Sequence, residues 1–169
     1  MLNIADQIHL AAIAKALLLL SVANGAPVVV KKLMGATLSQ PIDAGLTLAD
    51  GRPVFGAAKT VRGVLVALLA SALIAPLLAI DWTTGLLVGG LAMAGDLFSS
   101  FLKRRIGLPP SSMALGLDQI PESLFPALVC SALLALSAVD IALVVTVFLI
   151  GELILSRILF CLHVRDQPY

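Results

Sequence analysis

Charged side chains are scarce in this chain. They make up 12% of its 169 residues, and aromatics 5%, against 60% hydrophobic residues and a mean hydropathy of +1.07. Soluble domains carry about 25% charged residues, so this composition excludes a separate soluble catalytic domain and indicates an integral membrane protein. Only two cysteines are present, Cys130 and Cys161. Both lie inside apolar stretches, away from any Cys/His cluster with metal spacing, and read as buried, inert thiols. The two histidines, His9 and His163, flank apolar runs on opposite sides without a partner suggesting catalysis, and read as interfacial. Eleven basic residues face ten acidic ones, a formal charge of +1, so bulk charge argues for neither nucleic acid nor an acidic partner, and no nucleic acid is expected. No Lys or Arg precedes Lys15, so the N-terminus lacks the basic region of a cleaved signal peptide. No repeat of about 20 to 50 residues is visible.

What is abundant is apolar sequence in long runs. They fall at 10–33, 64–80, 85–102, 121–138 and 141–162, and a spanning helix needs roughly 20 such residues. The expected fold is all-α: a single integral membrane domain over 1–169, with five transmembrane helices and two cytoplasmic loops at 34–63 and 103–120. Lys31 and Lys32 lie at the very end of the first run, Arg52, Lys59 and Arg62 between it and the second, Lys103, Arg104 and Arg105 between the third and fourth, and Arg165 in the tail, while the links 81–84 and 139–140 hold no basic residue. The positive-inside rule then places the N-terminus outside and both long loops and the C-terminus in the cytoplasm of a cell-membrane protein. Lys15 and Arg157 fall inside runs, and Lys15 can snorkel. Glycines at Gly85, Gly89 and Gly90 can pack helices within one chain or between two copies, which leaves a homo-oligomer open.

Nearly all the polar chemistry lies in or beside the two long loops. The first, GATLSQPIDAGLTLADGRPVFGAAKTVRG, mixes glycines with Asp43, Asp50, Arg52, Lys59, Thr60 and Arg62; glycine lets backbone approach a ligand, and Lys and Arg supply charge for phosphate. It is no P-loop, because Lys59 stands three residues after Gly56 and no strand precedes it. Lys59 and Arg62 read equally as anchors for the second helix. In GDLFSSFLKRR the spacing puts Asp96, Ser99, Ser100 and Lys103 on one helical face, with Asp96 about 10 Å deeper than Lys103. A carboxylate at that depth is a functional-site hypothesis by default, the bland alternative being a buried ion pair. In DQIPE, Asp118 and Glu122 are spaced i, i+4, and Glu122 reads most simply as favouring a helix N-terminus. Magnesium takes one or two carboxylates plus substrate phosphates, which suits Asp96 with Asp118. In SVANGAPVVVKK, Pro27 frees a backbone group, and Asn24 either reads a base or rejoins that backbone. Glu152 and Arg157 are about 140° apart on their helix and should pair with other helices.

The order ANGAPVVVKK, DGRPVFGAAKTVRG, GDLFSSFLKRR, GLDQIPES and FCLHVRDQPY resembles the CDP-archaeol synthase family, membrane CTP:lipid-phosphate cytidylyltransferases related to phosphatidate cytidylyltransferase. The likeness rests on G-x-x-K-T-x-R-G at 56–63 and G-D-x-x-x-S-F-x-K-R-R at 95–105, in this order. It implies a five-helix enzyme that joins CTP to a lipid phosphate with Mg²⁺. By motif, Asp96 and Asp118 would hold the metal, with Asp96, Lys103 and Asp118 catalytic. Lys59, Thr60 and Arg62 would bind phosphate from the first loop, and Ser100, Arg104 and Arg105 from the second segment, with Asn24 beside the nucleotide. The family's basic tail is reduced here to Arg165 before Asp166. A rival from another class is a small ion- or proton-coupled transporter using Asp96, Glu152 and Arg157 as a relay; its need for access from both faces sits poorly with such short outer links.

Overall fold

Long apolar runs can satisfy their own backbone in hydrocarbon only as helices, and this chain does so. The computed structural model describes residues 8–163, which leaves Arg165, Asp166 and the first seven residues of the N-terminal reading outside it. Six helices follow in order: α1 (Leu10–Met34), α2 (Val61–Ile74), α3 (Trp82–Arg105), α4 (Gln119–Val129), α5 (Ser131–Leu134) and α6 (Ala138–Cys161). No strand occurs among the described residues, only two isolated bridges within the first loop.

Four segments are long and apolar enough to cross a membrane: Leu10–Met34, Val61–Leu78, Trp82–Arg105 and Ala138–Cys161. Three start earlier than the hydropathy pattern places them, because their first turns are polar or small. Thr60 caps α2 by accepting the Gly63 N–H at 3.1 Å, Asp81 caps α3 through the Thr83 N–H at 2.8 Å, and Ser137 and Asp140 form a reciprocal capping box on α6. α3 also runs past Leu102, so Lys103, Arg104 and Arg105 lie on its last turn and not in a loop. α2 gives way at Pro76 to a short 3-10 turn, Ala75–Leu78, closed by a left-handed Ala79. The run expected as one helix over 121–138 is instead α4 and α5 with a bend at Cys130, closed by a left-handed Ala135.

Asp140 fixes how the chain returns. It accepts the His9 backbone N–H at 2.9 Å and contacts His9 Nδ1 at 2.7 Å, so the starts of α1 and α6 lie side by side. His9 is thus tied to a fully buried carboxylate, not merely interfacial. Since α3 ends beside the two long loops, residues 106–137 carry the chain from that end back to the end that holds His9.

α3 is the central helix: 44% of its apolar window is buried, against 17–28% in the other three long helices. It can sit there because it is small where its neighbours cross. A methyl group added at Gly85 would land on the Ser71 carbonyl and the Ala75 side chain of the α2 segment, and one added at Gly95 on the backbone of Pro121 and Glu122 in α4. Large apolar side chains such as Leu73 and Leu77, 73% and 79% exposed, face outward, as a lipid-facing surface requires. Cys130 is buried as expected, whereas Cys161 is exposed, because it falls on the outward side of the last turn of α6.

The first loop is folded, not slack. Ile42 N–H donates to Lys59 O at 2.8 Å and Val61 N–H to Gln40 O at 3.0 Å, pinning its two ends together. At its centre the buried Asp43 carboxylate accepts N–H groups from Gly45, Phe55 and Gly56 at 3.1, 2.9 and 2.9 Å. Burial alone would push that carboxyl up, but the three backbone donors outweigh it and hold it below its ordinary value of 3.8. The stabilisation is therefore complete above that value and lost as pH falls through the lower, folded one.

Two outcomes follow from this packing. Gly95→Ala should destabilise the protein by about 1–3 kcal/mol through overpacking, read as a lowered melting temperature in detergent. Asp43→Ala should open residues 43–56 to limited proteolysis at neutral pH, whereas the unaltered chain resists until pH falls below about 4; equal resistance at neutral pH would remove Asp43 as the organiser of the loop.

Candidate active site

Two segments supply the site: the end of the folded first loop, which delivers Lys59 just before the N-cap of α2, and the polar face of α3. Lys59 Nζ contacts both oxygens of Asp96, at 2.6 and 2.7 Å. The two side chains are 25% and 23% exposed, so the pair is recessed yet reachable. Burial would push the Lys59 ammonium down, but the Asp96 carboxylate outweighs it, with Glu122 and Asp118 adding to the effect, and Lys59 is held above the ordinary lysine value. It is a fixed cation at any physiological pH and cannot serve as a base.

A second pair lies at the loop end of α3. Lys103 Nζ contacts Asp118 Oδ1 at 2.6 Å and donates to the Ser112 carbonyl at 2.9 Å. Lys103 is buried, while Asp118 is 22% exposed and also accepts the Ala114 N–H at 2.9 Å. Asp96, Ser99, Ser100 and Lys103 do share one side of α3: both serines and Lys103 are buried, and Ser99 donates to the Gly95 carbonyl at 2.9 Å. Each acid proposed for a metal therefore faces its own lysine, and both lie within electrostatic reach of Lys59.

Lys103, Arg104 and Arg105 do not form one cluster. Consecutive helical residues point about 100° apart, and the three go separate ways. Arg105 leaves the site to staple the first loop onto α3, pairing with Asp50 at 2.7 Å and donating to Arg52 O and Pro53 O, with Phe101 beneath its guanidinium at 5.3 Å. Arg104 is 3% exposed and donates through Nη2 to Pro109 O at 2.9 Å, while its Nε and Nη1 are buried without a partner. Unpaired buried guanidinium donors are costly, and Arg104 has two of them, where Arg105 has one, at Nε.

Other expected site residues have local structural partners. Arg62 is buried and donates to Gly35 O at 3.1 Å and to Thr37 O, strapping the end of α1 to α2. The Thr60 hydroxyl is the α2 cap, and Asn24 donates to Leu20 O at 3.0 Å, one turn back on its own helix. That bond does not reach the carbonyl freed by Pro27, which belongs to Ala23.

Sequence reasoning undervalued Glu122. It is 5% exposed and in hydrogen-bond contact with Glu152 of α6, and it feels the charges of Asp96 and Lys59. No local signal reveals it, since its neighbours come from α3, α6 and the first loop. Glu152 thus pairs with another helix, as its angular separation from Arg157 requires; Arg157 is exposed on α6.

Asp96 and Asp118, the two acids expected to hold a metal, offer only hard carboxylate oxygens, and each is paired with a lysine. Among the described residues no three His, Cys, Asp or Glu side chains converge as a ready-made metal cage. The arrangement therefore fits magnesium, which binds through one or two carboxylates and keeps water and phosphate as its other ligands, and not a metal that needs a full protein cage.

Comparison with known proteins identifies the family. A family model described as CarS-like, CDP-archaeol synthase, matches residues 7–169. A CDP-archaeol synthase of Pyrococcus furiosus is 42% identical over 107 residues, 57% of this chain and 60% of that protein. One from Saccharolobus islandicus is 38% identical over 104 residues, 59% of each. The match thus spans about three fifths of the length of both. One from Thermofilum pendens is 33% identical over 155 residues, 88% of this chain and 76% of that protein. A solved structure described as an intramembrane enzyme for archaeal membrane lipids biosynthesis superimposes with a TM-score of 0.71 at 28% identity, over 82% of this chain and 89% of that one. From a match over residues 7–169, the chain belongs to the CDP-archaeol synthase family.

Proposed function

We propose that this protein is a membrane cytidylyltransferase: it transfers CMP from CTP to a lipid phosphate, giving a CDP-activated lipid and pyrophosphate. The observation that carries the reading is the Lys59–Asp96 pair, a cation and a carboxylate recessed between a folded polar loop and the central apolar helix. The names of its relatives, CDP-archaeol synthases, point the same way.

The chemistry forms a bond from a lipid phosphate oxygen to the α-phosphorus of CTP and breaks the bond to the β-phosphate, which leaves as pyrophosphate. A phosphate monoester, with a second pKa of about 6, is already largely ionised at pH 7, so no general base is needed. That suits a site whose central lysine is permanently charged. The difficulty is mutual repulsion between two anions, which positioning and fixed charge overcome. Lys59 and Lys103 supply that charge, and the unpaired donors of Arg104 suit a phosphate oxygen. Asp96 and Asp118 would hold Mg²⁺, which when bound neutralises polyphosphate charge. Arg62, Arg105 and Thr60 act on the site by holding the loop in place, in keeping with their partners.

We also read five crossings, with α4 and α5 together as the short fourth, since residues 106–137 connect opposite ends of the bundle. The loop end would face the cytoplasm, where CTP is, and the whole chain would form one membrane domain. The transporter reading has no support: Asp96 is held by Lys59, Glu152 by Glu122, and Arg157 lies on the outer surface.

The deciding assay is purified protein with CTP, Mg²⁺ and a panel of lipid phosphates bearing ether- or ester-linked chains, scored by pyrophosphate release. Asp96→Asn should lower that rate at least about a hundredfold while helical content is kept; wild-type turnover would remove Asp96 from the mechanism. Arg104→Lys should raise the KM for CTP about tenfold with a smaller change in kcat, since lysine cannot replace the guanidinium fork, and an unchanged KM would return Arg104 to a structural role.

A further inference from the structure

The folded first loop carries apolar side chains that the chemistry above does not use. Between Asp43 and Phe55 it doubles back as a short hairpin: Thr47 bridges Pro53, the Val54 N–H donates to Leu46 O and the Leu48 N–H to Arg52 O, both at 3.0 Å. Successive side chains on an extended arm point to opposite sides. Leu46 and Leu48 therefore share one side of the hairpin, and Thr47 takes the other. Leu46 is 64% exposed and Leu48 44%. Water offers such a pair nothing, and exposed apolar clusters mark contact surfaces.

Position along α3 says what this surface meets. Leu87, Ala94, Phe98, Phe101 and Arg105 fall within about 40° of one line along that helix. Leu87 and Phe98 are 41% and 44% exposed, and Ala94 is exposed with them, so the line marks the lipid-facing side of α3. Arg105 ends it, and the hairpin is fastened there. Arg105 pairs with Asp50 at 2.7 Å, while Arg52 donates to the Arg104 and Arg105 carbonyls and lies against Gly107. Ile106, set between those contacts, is 66% exposed. The hairpin thus continues the apolar outer surface of the bundle at the level where α3 ends.

Its charges suit that level. Asp50 and Arg105 neutralise each other and the Arg52 guanidinium is spent on carbonyls, so the two leucines are what this side offers outward. An apolar face lying in a bilayer interface is buried about 5–10 Å into the boundary between headgroups and chains. Asp96 lies about 180° from Leu87 around α3, so the loop straddles the end of the helix, with the hairpin on the lipid side and Lys59 on the site side. Asp43 ties the two limbs together, since it accepts N–H groups from Gly45 before the hairpin and from Phe55 and Gly56 after it.

We infer that residues 46–54 form an interfacial membrane element: Leu46 and Leu48, with Ile106 beside them, are immersed in the leaflet at the loop end of the bundle and anchor there the loop that ends at Lys59. The inference needs only a bilayer-spanning bundle and stands apart from CMP transfer. Trp82 is the single tryptophan and lies at the far end of α3, so Trp82→Phe gives a background for one reporter at a time. In full-length protein in phosphatidylcholine vesicles, Leu46→Trp and Leu48→Trp should emit to the blue of Thr47→Trp. Lipid brominated high on its chains should quench both at least about twofold more than Thr47→Trp, and more than lipid brominated near the chain ends does. Iodide should quench Thr47→Trp the most. Adding Leu48→Asp to the Leu46→Trp chain should roughly halve the lipid quenching, with circular dichroism showing that helical content is kept. Equal quenching of all three reporters by iodide, with none by brominated lipid, would overturn the inference by leaving the hairpin in water. So would blue-shifted emission that neither quencher reaches, the mark of leucines covered by protein.

Discussion

A carboxylate set inside an apolar bundle must be given an opposite charge or be lifted out, and the architecture of this protein follows from how Asp96 is satisfied. Its partner does not come from α3 or from a neighbouring helix. It comes from the end of the first loop, where Lys59 is the last residue before the cap of α2. That loop can reach only if it is itself ordered, which is the work of Asp43 and of the staples that Arg52 and Arg105 make between loop and helix. Breaking a buried pair by removing one partner costs about 3–5 kcal/mol, so the loop, the helix and the site hold together as one unit.

The small residues of α3 are the other half of that constraint. Gly85 brings the α2 segment close to α3, and Gly95 lets α4 press its first turn against the helix next to Asp96. The second contact is what delivers Glu122, and through it Glu152 on α6, to the same polar centre. Three helices and one loop thus meet at a point where the sequence is a single Gly-Asp step. A larger residue at Gly95 would move α4 outward and disperse the charges without touching any of them.

These relations explain which parts of the molecule the sequence discloses. The polar face of α3 was legible because helical periodicity is local: Asp96, Ser100 and Lys103 had to share a side once the segment was helical. The four long helices were legible from length and hydropathy, though three of their starts were not, since caps such as Thr60 and Ser137 are polar residues that hydropathy assigns to loops, and the fourth run was read as one helix where the chain makes two. Partnerships were not legible. Nothing local says that Lys59 reaches Asp96 while Lys103 reaches Asp118, or that Arg62 spends its donors on the end of α1. The KRR run does not act as one cluster for a geometric reason, since adjacency in sequence is divergence on a helix. Glu122 was obscured by an adequate local explanation, the preference of acids for a helix start. His9 was misjudged because its partner lies 131 residues away.

The pairing of each acid with a lysine bears on how such a site would accept its substrates. A phosphate drawn to Lys59 must compete with Asp96, and a cation drawn to Asp96 must compete with Lys59. Either ligand alone would separate the pair and leave one charge recessed and unmatched, at a cost comparable to breaking a buried ion pair. A polyphosphate arriving with its counter-cation satisfies both partners at once, so the two ligands favour each other's binding through the pair they jointly divide, as linkage requires. On the cytidylyltransferase reading proposed above, a lipid phosphate entering that site would meet carboxylates already neutralised, and its attack on the α-phosphorus would face less repulsion than in water.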